Sequence, residues 1–220
     1  MSKSRTAYHG KDRERLLRVA RHDNGSRRLR AAGGWLFRQR TSLPVPLALA
    51  LLLVRAGEAR PSSLLFASGC ATVALGEAIR LWAVSHIGAI SRTRSDRLGP
   101  LIRSGPFAIV RNPLYLGNIA LWVGFALSAR LVWMAPIFIV VLGFEYHAIV
   151  RWEEQLLEER RGDEYRTYAA RVPRWMPSLQ STAIASHGSV SWRDTFFSER
   201  GTLIAIAVGY LLLWMKSGLT

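Results

Sequence analysis

The stretch "NIALWVGFALSARLVWMAPIFIVV", residues 118–141, consists of two apolar runs separated by a single charged side chain, Arg130. Together with its apolar neighbours, each run approaches the roughly 20 residues that a helix needs to cross a bilayer. The short "SAR" link at 128–130 has room only for a turn, so the two runs predict a helical hairpin in a membrane. Because a hairpin returns the chain to the side it came from, we expect the segments that flank it to meet in space.

The whole composition agrees with a membrane protein. The 220-residue chain is 50% hydrophobic, yet its formal net charge is +15. A folded chain can combine these two properties only if its apolar and charged residues lie in separate blocks. A soluble nucleic-acid-binding protein would have to bury the long uncharged runs, so we expect no nucleic-acid partner. The single cysteine, Cys70, leaves no intrachain disulfide and no cysteine-based metal site. We expect no metal, and the polar, arginine-rich first 40 residues predict no cleaved leader.

Five apolar segments predict an all-α bundle of about five membrane helices in contact with the lipid bilayer. Two prolines near the start of the first segment, Pro44 and Pro46, lie where a helix tolerates them best. We divide the chain into a basic segment, a membrane core, and a linker followed by an additional helix, with bounds 1–40, 41–180 and 181–220. The segments are residues 41–54, 61 to about 84, 112–129, 131 to about 150, and 201–215.

The charges between these segments predict an orientation. From the N-terminus onward, the regions outside the segments carry 12, 2, 5, 1, 8 and 1 Lys/Arg residues. Positively charged loops stay in the cytoplasm, so the N-terminus and the regions 85–111 and 151–200 are predicted to be cytoplasmic. Residues 1–40 should also bind anionic lipid headgroups, with a short surface helix at "DRERLLRVARH".

The segment "GPFAIVRNPLYLGN", residues 105–118, leads into the third apolar segment. Asn is favoured at the N-cap of a helix and Pro at its first position, so Asn112 and Pro113 predict a helix start. One interpretation is a plain membrane interface, with Arg111 and Tyr115 at headgroup level. The other is a binding site, because the free N–H groups of a helix start, reinforced by Arg111, favour an anion.

The fourth apolar segment is predicted to continue as a helix out of the membrane to about Arg161. Gly162 is a natural stop and Asp163 a natural new N-cap. Glu153 and Glu154 lie within about one turn of the membrane exit, where a carboxylate can meet a ligand at the boundary. The later charges of this helix are predicted to be solvated.

The segment "EYRTYAARVPRWMP", residues 164–177, follows this helix. Tyr165 and Tyr168 share a helical stripe, which predicts packing. Arg171 and Arg174 flank a proline that fixes a rigid exit. This segment either covers a site or rests on headgroups.

The second apolar segment contains two charged residues, Glu77 and Arg80. Their spacing of three allows them to pair on one helix face. Charged residues in a membrane helix face a partner or a cavity, so the pair is either a structural ion pair or a polar floor under the site.

Three segments together resemble the isoprenylcysteine carboxyl methyltransferase and phospholipid methyltransferase superfamily of integral membrane enzymes. They are "GEAIRLWAVSHIGAISRT", "LIRSGPFAIVRNPLYLGN" and "RWEEQLLEERRGDEYRTYAARVPRWMP", within residues 70–180. The resemblance implies a multi-pass enzyme that binds S-adenosylmethionine at the cytoplasmic mouth of its bundle. The residues that match the family's motifs are Arg111, Pro113, Tyr115 and Gly117; Glu153, Glu154 and Leu157; and Tyr165, Tyr168, Arg171, Val172 and Pro173.

The resemblance implies cofactor contacts for several of these residues. The helix start at Asn112 and Arg111 suits the cofactor carboxylate, and Glu153 or Glu154 suits its ammonium or hydroxyl groups. The family's first motif has His where this chain has Asn112, which can hydrogen-bond but cannot act as a titrating base. We therefore expect the cofactor to contact Arg111, Asn112, Pro113, Leu114, Tyr115, Gly117, Glu153 and Glu154.

The residues do not decide which of several lipophilic substrates is the methyl acceptor. A prenylcysteine-type carboxylate would be held by Arg111 and Arg171, whereas a phospholipid amine would need a base such as Glu154, His147 or Glu145; a thiol is a third possibility. We predict catalytic roles for Arg111, Arg171 and Glu154, and substrate contacts from Arg80, Tyr168, Arg171 and Arg174. Two other functions remain as alternatives: an NADPH-dependent reductase of the sterol reductase type, and a non-enzymatic membrane scaffold with a lipid-binding tail.

Overall fold

The computed structural model describes residues 33–39, 44–87, 101–178 and 191–218. Within these ranges all regular secondary structure is helical, as predicted, and there is no strand. The basic residues 1–32, with the predicted surface helix, lie outside the described ranges, as do 88–100 and 179–190. The helices are α1 (residues 33–39), α2 (Pro44–Leu53), α3 (Ser63–Ile87), a 3₁₀ turn (Gly105–Ala108), α4 (Pro113–Ser128), α5 (Met134–Arg161), α6 (Asp163–Arg171) and α7 (Trp192–Gly218).

Three of these helices, α3, α5 and α7, are long and apolar enough to cross a membrane, and α2 and α4 are apolar but shorter. The protein is therefore an integral membrane protein. The bounds of α2, α3 and α4 lie within a few residues of the predicted segments. By contrast, α7 begins at Trp192 rather than Gly201, because the charged residues before Gly201 are part of the helix.

Helices α3 and α4 pack closely through two pairs of glycines. A Cβ atom added at Gly76 would lie 2.8 Å from the Gly117 carbonyl oxygen, and one added at Gly117 would lie 2.7 Å from that of Gly76. Gly69 and Gly124 face each other in the same way, at 2.8 Å in both directions. Small residues at a membrane helix interface let the two backbones approach, so these glycines set the distance between α3 and α4.

The predicted hairpin of α4 and α5 is confirmed. Its turn places Arg130 in the left-handed region, with φ of 62°, and hydrogen bonds hold that conformation: Arg130 N–H donates to Leu127 O at 3.0 Å, and Ala59 N–H donates to Arg130 O at 2.8 Å. After the turn, α5 contributes a fully buried stripe that includes Phe138, Leu142 and Ile149. This stripe is the centre of the apolar core.

One end of the bundle, called here the far end, carries an ion cluster of Glu58, Arg130 and Lys216. Arg130 binds one carboxylate oxygen of Glu58, and Lys216 Nζ lies 2.9 Å from the other. Lys216 also donates to the carbonyl oxygens of Leu51 and Val54. The α2–α3 link, the hairpin turn and the end of α7 thus share one end of the bundle, which agrees with the alternation of the loop charges.

Helix α5 ends and α6 begins at Gly162. This residue has φ of 51° and ψ of −122°, a conformation that residues with a side chain rarely adopt. Gly162, not Asp163, occupies the N-cap of α6, and Asp163 is the first helical residue. The predicted stop at Gly162 is therefore confirmed, and the predicted cap at Asp163 was wrong by one position.

Candidate active site

The two segments that flank the hairpin meet at the end opposite the far end, called here the site end. Arg111 N–H donates to Pro173 O at 2.9 Å, and Ser178 N–H donates to Ile109 O at 3.0 Å. These backbone hydrogen bonds fix the segment after α6 against the segment before α4. The two polar segments therefore contact each other directly, as the hairpin predicts.

Helix α4 begins as predicted, but Asn112 does not cap it with its side chain. Asn112 occupies the N-cap position and makes no side-chain cap hydrogen bond. Its amide nitrogen instead donates to Arg174 O at 3.1 Å. The next residue, Pro113, is buried at the first helical position, where a missing N–H costs nothing. Asn112 thus joins the two segments, and the helix-start N–H groups are left without a side-chain cap.

A three-residue ion cluster lies at the centre of this contact. Arg174 Nε and Nη2 donate to the two oxygens of Glu154 at 2.9 and 2.6 Å, a planar two-point geometry that lysine cannot reproduce. Arg111 Nη1 lies 2.9 Å from Glu154 Oε1. Only 13% of the Glu154 side chain is exposed. The hydrogen bond to Glu154 raises the pKa of Arg174 above its usual value, so Arg174 stays protonated.

Two buried tyrosines support the cluster from α6. The Tyr165 hydroxyl accepts from Arg111 Nη1 at 3.3 Å, and burial followed by the Glu154 charge raises the pKa of Tyr165 to about 12. The Tyr168 hydroxyl donates to Phe107 O at 2.8 Å, and burial again raises its pKa. Both rings form a small core with Val172, which confirms the packing that their spacing predicts.

A polar cavity of about 420 Å³ opens beside the cluster. Its lining contains four arginines and two glutamates, so its formal charge is 4 − 2 = +2. Two buried polar atoms, Arg111 Nε and Gln155 Oε1, have no hydrogen-bond partner among the described residues. Both residues line the cavity, so each has one hydrogen-bonding atom that no described residue engages, and the lining as a whole is positively charged. Its lining residues are Arg111, Arg151, Glu154, Gln155, Glu158, Tyr165, Arg166, Ala169, Ala170 and Arg174.

Tyr115 lines a second, apolar cavity and also contacts a glutamate of α5. Its hydroxyl donates to Glu153 Oε2 at 3.1 Å, and its ring packs on Tyr146 with centroids 4.7 Å apart. The apolar cavity has a volume of about 610 Å³, and Tyr115 and Tyr146 are both in its lining. The first turn of α4 therefore contacts the apolar cavity through Tyr115, whereas Arg111, two residues before the helix, lines the polar one.

Arg80 belongs to a buried polar network that the sequence predicts only in part. The pair with Glu77 is confirmed, with Arg80 Nε 3.3 Å from Glu77 Oε2. The same guanidinium also binds Asn118 of α4 and the α7 residues Glu199 and Thr202. Four of the five guanidinium N–H groups are thus engaged. Two carboxylates already neutralise Arg80, which leaves little capacity for a carboxylate substrate.

The remaining predicted residues have less central positions. Arg171 is exposed at the end of α6, and Leu114 is partly buried. The absence of a side chain at Gly117 is explained by its close approach to Gly76 and to the Arg80 side chain. His147 is exposed and its ring stacks on Trp175, with centroids 6.4 Å apart. The described residues contain no group of three or more His, Cys, Asp or Glu side chains placed to hold a metal ion.

The reasoning from sequence missed three features: the contact of Glu199 with Arg80, the contact of Lys216 with Glu58, and the direct pairing of Glu154 with Arg174. One signal was available for Lys216, which is the only charged residue after a long apolar run. Glu199 precedes the apolar run of α7, and the sequence alone suggests that it belongs to a polar linker. Its role becomes visible only when α7 packs beside α3.

Comparison with known proteins supports the resemblance seen in the motifs. Residues 64–164 match the phospholipid methyltransferase family, so the resemblance is confirmed over that segment. A nickel-cobalt-cadmium resistance protein, NccN, of Alcaligenes xylosoxydans xylosoxydans is 29% identical over 133 residues, which are 58% of this chain and 59% of that protein. A cobalt-zinc-cadmium resistance protein, CzcN, of Cupriavidus metallidurans is 28% identical over 118 residues, 54% of this chain and 51% of that protein. The chain thus spans about half the length of these curated relatives. No solved structure matches it.

Proposed function

We propose, from the match of residues 64–164 to the phospholipid methyltransferase family, that this chain transfers a methyl group from S-adenosylmethionine to a lipophilic acceptor in the membrane. The observation that carries the proposal is the polar cavity beside the Arg111–Glu154–Arg174 cluster. It lies where two family-type motifs meet, and its size falls in the range of roughly 300–1,000 Å³ typical of small-molecule sites.

The chemistry of the polar cavity fits this cofactor. The net positive lining and the unused Arg111 Nε suit a carboxylate. The unused Gln155 Oε1 suits an ammonium or hydroxyl donor. When bound, the cofactor supplies an electrophilic methyl group on a positively charged sulfur. The proposal therefore assigns Gln155, which the sequence analysis did not consider, to the cofactor site.

Glu154 acts in this proposal by holding two arginines. Its carboxylate accepts from Arg174 and pairs with Arg111, so a ligand ammonium would have to compete with two guanidinium groups. We therefore propose that Glu154 holds Arg111 and Arg174 in position and does not itself remove a proton. Methyl transfer depends on alignment of the two reacting groups, so fixed positions of these side chains contribute through orientation.

The acceptor is proposed to reach the site from the apolar cavity. This cavity lies among helices of the membrane region, and Tyr115 in its lining is four residues from Arg111, which lines the polar cavity. A lipophilic molecule held there would place its polar end near Tyr115 and Asn118. Because Arg80 is already neutralised by Glu77 and Glu199, a neutral or amine acceptor fits this end better than a carboxylate.

The names of the two relatives describe resistance to nickel, cobalt, cadmium or zinc and do not specify an acceptor. We do not propose a metal-binding role for the residues described here.

The test is calorimetric titration of the purified protein in detergent with S-adenosylhomocysteine, S-adenosylmethionine and NADPH. We expect saturable binding of the first two only. The matched variants are Gln155→Leu, which removes one buried acceptor, and Glu159→Gln on the exposed part of α5. Loss of the hydrogen bond at Gln155 should weaken binding about two- to twelvefold, since such a bond contributes roughly 0.5–1.5 kcal/mol, whereas Glu159→Gln should bind like the parent.

Activity is measured in proteoliposomes of natural lipids with a radiolabelled methyl donor. Label should appear in the fraction extracted by organic solvent. Saturable NADPH binding without S-adenosylhomocysteine binding would refute the methyltransferase in favour of the reductase. Binding of neither ligand would favour the scaffold.

A further inference from the structure

One turn of α5, residues 152–155, carries much of the candidate site. A helix has about 3.6 residues per turn, so four successive side chains project to four different sides. Glu153 accepts a hydrogen bond from α4, Glu154 binds the arginine that follows α6, and Gln155 lines the polar cavity. The fourth side chain, Trp152, contacts α1. Each of these four residues thus faces a different part of the molecule.

The contact between α1 and α5 is made at the start of α1, where glycine leaves no side chain between the two helices. A Cβ atom added at Gly33 would lie 2.5 Å from the Ala148 carbonyl oxygen and 2.7 Å from Trp152 Cβ. One added at Gly34 would lie 3.2 Å from Trp152 Nε1. The rings of Phe37 and Trp152 follow, with centroids 5.0 Å apart. Helix α1 is therefore seated directly on the backbone and the indole ring of this part of α5.

Helix α1 is fixed to the core of the bundle as well as to Trp152. Gly33 is buried, and Leu36 and Phe37 pack against the apolar core. Phe37 belongs to both contacts, because its ring also lies beside Trp152. Helix α1 thus links the core to the turn that carries the site. It precedes residues 64–164, so the match to the family does not include this contact.

The position of Gln155 depends on the backbone of this turn. Its Oε1 atom is buried and has no hydrogen-bond partner among the described residues, so no polar contact of that atom fixes it. Glu154, by contrast, is held by two guanidinium groups. A shift of the turn would therefore move Gln155 directly and distort the hydrogen bonds of Glu154. Displacement of a positioned group by about 1 Å can lower a reaction rate about a hundredfold.

We propose that α1 positions the α5 turn at the polar cavity, with Trp152 as the positioning residue and Gly33 as the point at which α1 is seated. Trp152 does not line the polar cavity and acts through its neighbours Glu154 and Gln155. The inference rests on the proposed function in taking S-adenosylmethionine as the ligand of this cavity. It adds a helix outside the family match to the parts of the chain that determine cofactor affinity and turnover.

The role of Trp152 is tested by calorimetric titration of the intact chain in detergent with S-adenosylhomocysteine. Trp152→Ala should weaken binding about two- to twelvefold, the loss expected when one hydrogen bond such as that of Gln155 is displaced. Trp152→Phe keeps an aromatic ring against Phe37 and should restore most of the affinity. The control is Trp133→Ala at the far end, where Trp133 Nε1 lies 3.0 Å from a Cβ atom added at Gly57. It should lower the melting temperature, as Trp152→Ala does, and leave the affinity unchanged.

Gly33 allows a smaller change on the other side of the contact. Gly33→Ala places a methyl group 2.5 Å from the Ala148 oxygen, whereas ordinary contact distances are about 3.5 Å or more. Helix α1 must therefore move away by about 1 Å, which separates it from Trp152. We expect weaker S-adenosylhomocysteine binding and a turnover lowered by up to about a hundredfold.

The control for this variant is Gly143→Ala, because a Cβ atom at that α5 position meets nothing within 4 Å. It should keep parental affinity and turnover. Parental affinity and turnover in Gly33→Ala, or equal losses in Gly33→Ala and Gly143→Ala, would overturn the proposal.

A third measurement requires no cofactor. Glu154→Gln is introduced into the parent and into Gly33→Ala, and the resulting losses in melting temperature are compared. Residues coupled through a shared backbone shift have non-additive effects, so the loss should be smaller in the Gly33→Ala background. A loss of parental size there would overturn the positioning role whether or not the cofactor binds. A smaller loss in a chain that binds no S-adenosylhomocysteine would support the positioning role and refute the proposed function instead.

Discussion

The sharpest prediction concerns the ion pair of Arg174 with Glu154 and uses a double-mutant cycle. The variants are Glu154→Gln, Arg174→Gln and the combination of both. The two hydrogen bonds measure 2.9 and 2.6 Å, and the side chains are only 26% and 13% exposed. We therefore expect each single variant to destabilise the protein and the double variant to be less than additive.

The magnitude follows from burial. A hydrogen bond between charged groups contributes about 1.5–3 kcal/mol, and Arg111 remains beside Glu154 when Arg174 is changed. We expect a coupling free energy of about 2 kcal/mol, which lies within the range seen for contacting residues. For a chain of this length that equals roughly 4–8 °C in the melting temperature.

The control is the pair of Arg166 with Glu158, which joins α6 to α5 at 2.9 Å but is 62% and 49% exposed. Water screens such a pair, so its coupling should stay below about 0.5 kcal/mol. Thermal unfolding in detergent, followed by tryptophan fluorescence, measures both cycles. Equal coupling in the two cycles, or additive effects at Glu154 and Arg174, would refute the assignment of this cluster as the organising centre of the site.

Three further predictions address orientation, the basic segment and Arg171. In a background without Cys70, a cysteine at Ala56 should be labelled by an impermeant reagent from outside the cell and one at Ala185 should not; the opposite pattern would invert the orientation. Deletion of residues 1–30 should weaken binding to anionic liposomes and leave S-adenosylhomocysteine affinity unchanged, because each basic residue near the surface contributes up to roughly 1 kcal/mol; lost cofactor affinity would place this segment in the site. Arg171→Lys should keep cofactor affinity and lower turnover if its planar guanidinium binds the acceptor, whereas unchanged turnover would leave it as a solvated residue.

The hairpin and the helix ranges were predictable because their causes are local. The "SAR" link, the proline after Asn112 and Gly162 each determine a turn or a helix end within a few residues. The ion cluster was not predictable in the same way. Glu154 and Arg174 are twenty residues apart, and their contact depends on the angle at which α6 leaves α5. The sequence therefore identifies the polar segments, and only the fold pairs their side chains.

Glu199 illustrates a second limit. A glutamate before an apolar run is typical of a solvated helix end, and nothing local distinguishes this one. Its significance comes from Arg80, a cation inside a membrane helix that needs more hydrogen-bond acceptors than Glu77 alone provides. A search of the sequence for acids and amides that could reach Arg80 would have included Glu199 together with Asn118.

Tyr115 connects the polar and apolar parts of the molecule. A cofactor that carries charge and an acceptor that carries an aliphatic chain need different surroundings, yet their reacting atoms must meet. Tyr115 has both properties: its hydroxyl binds Glu153 at the site end, and its ring lines the apolar cavity against Tyr146. It occupies the first turn of α4, which Asn112 ties to Arg174 and Gly117 holds against α3. The proposed function therefore requires the reacting atoms to meet near this helix start, where Arg111 lines the polar cavity and Tyr115 lines the apolar one.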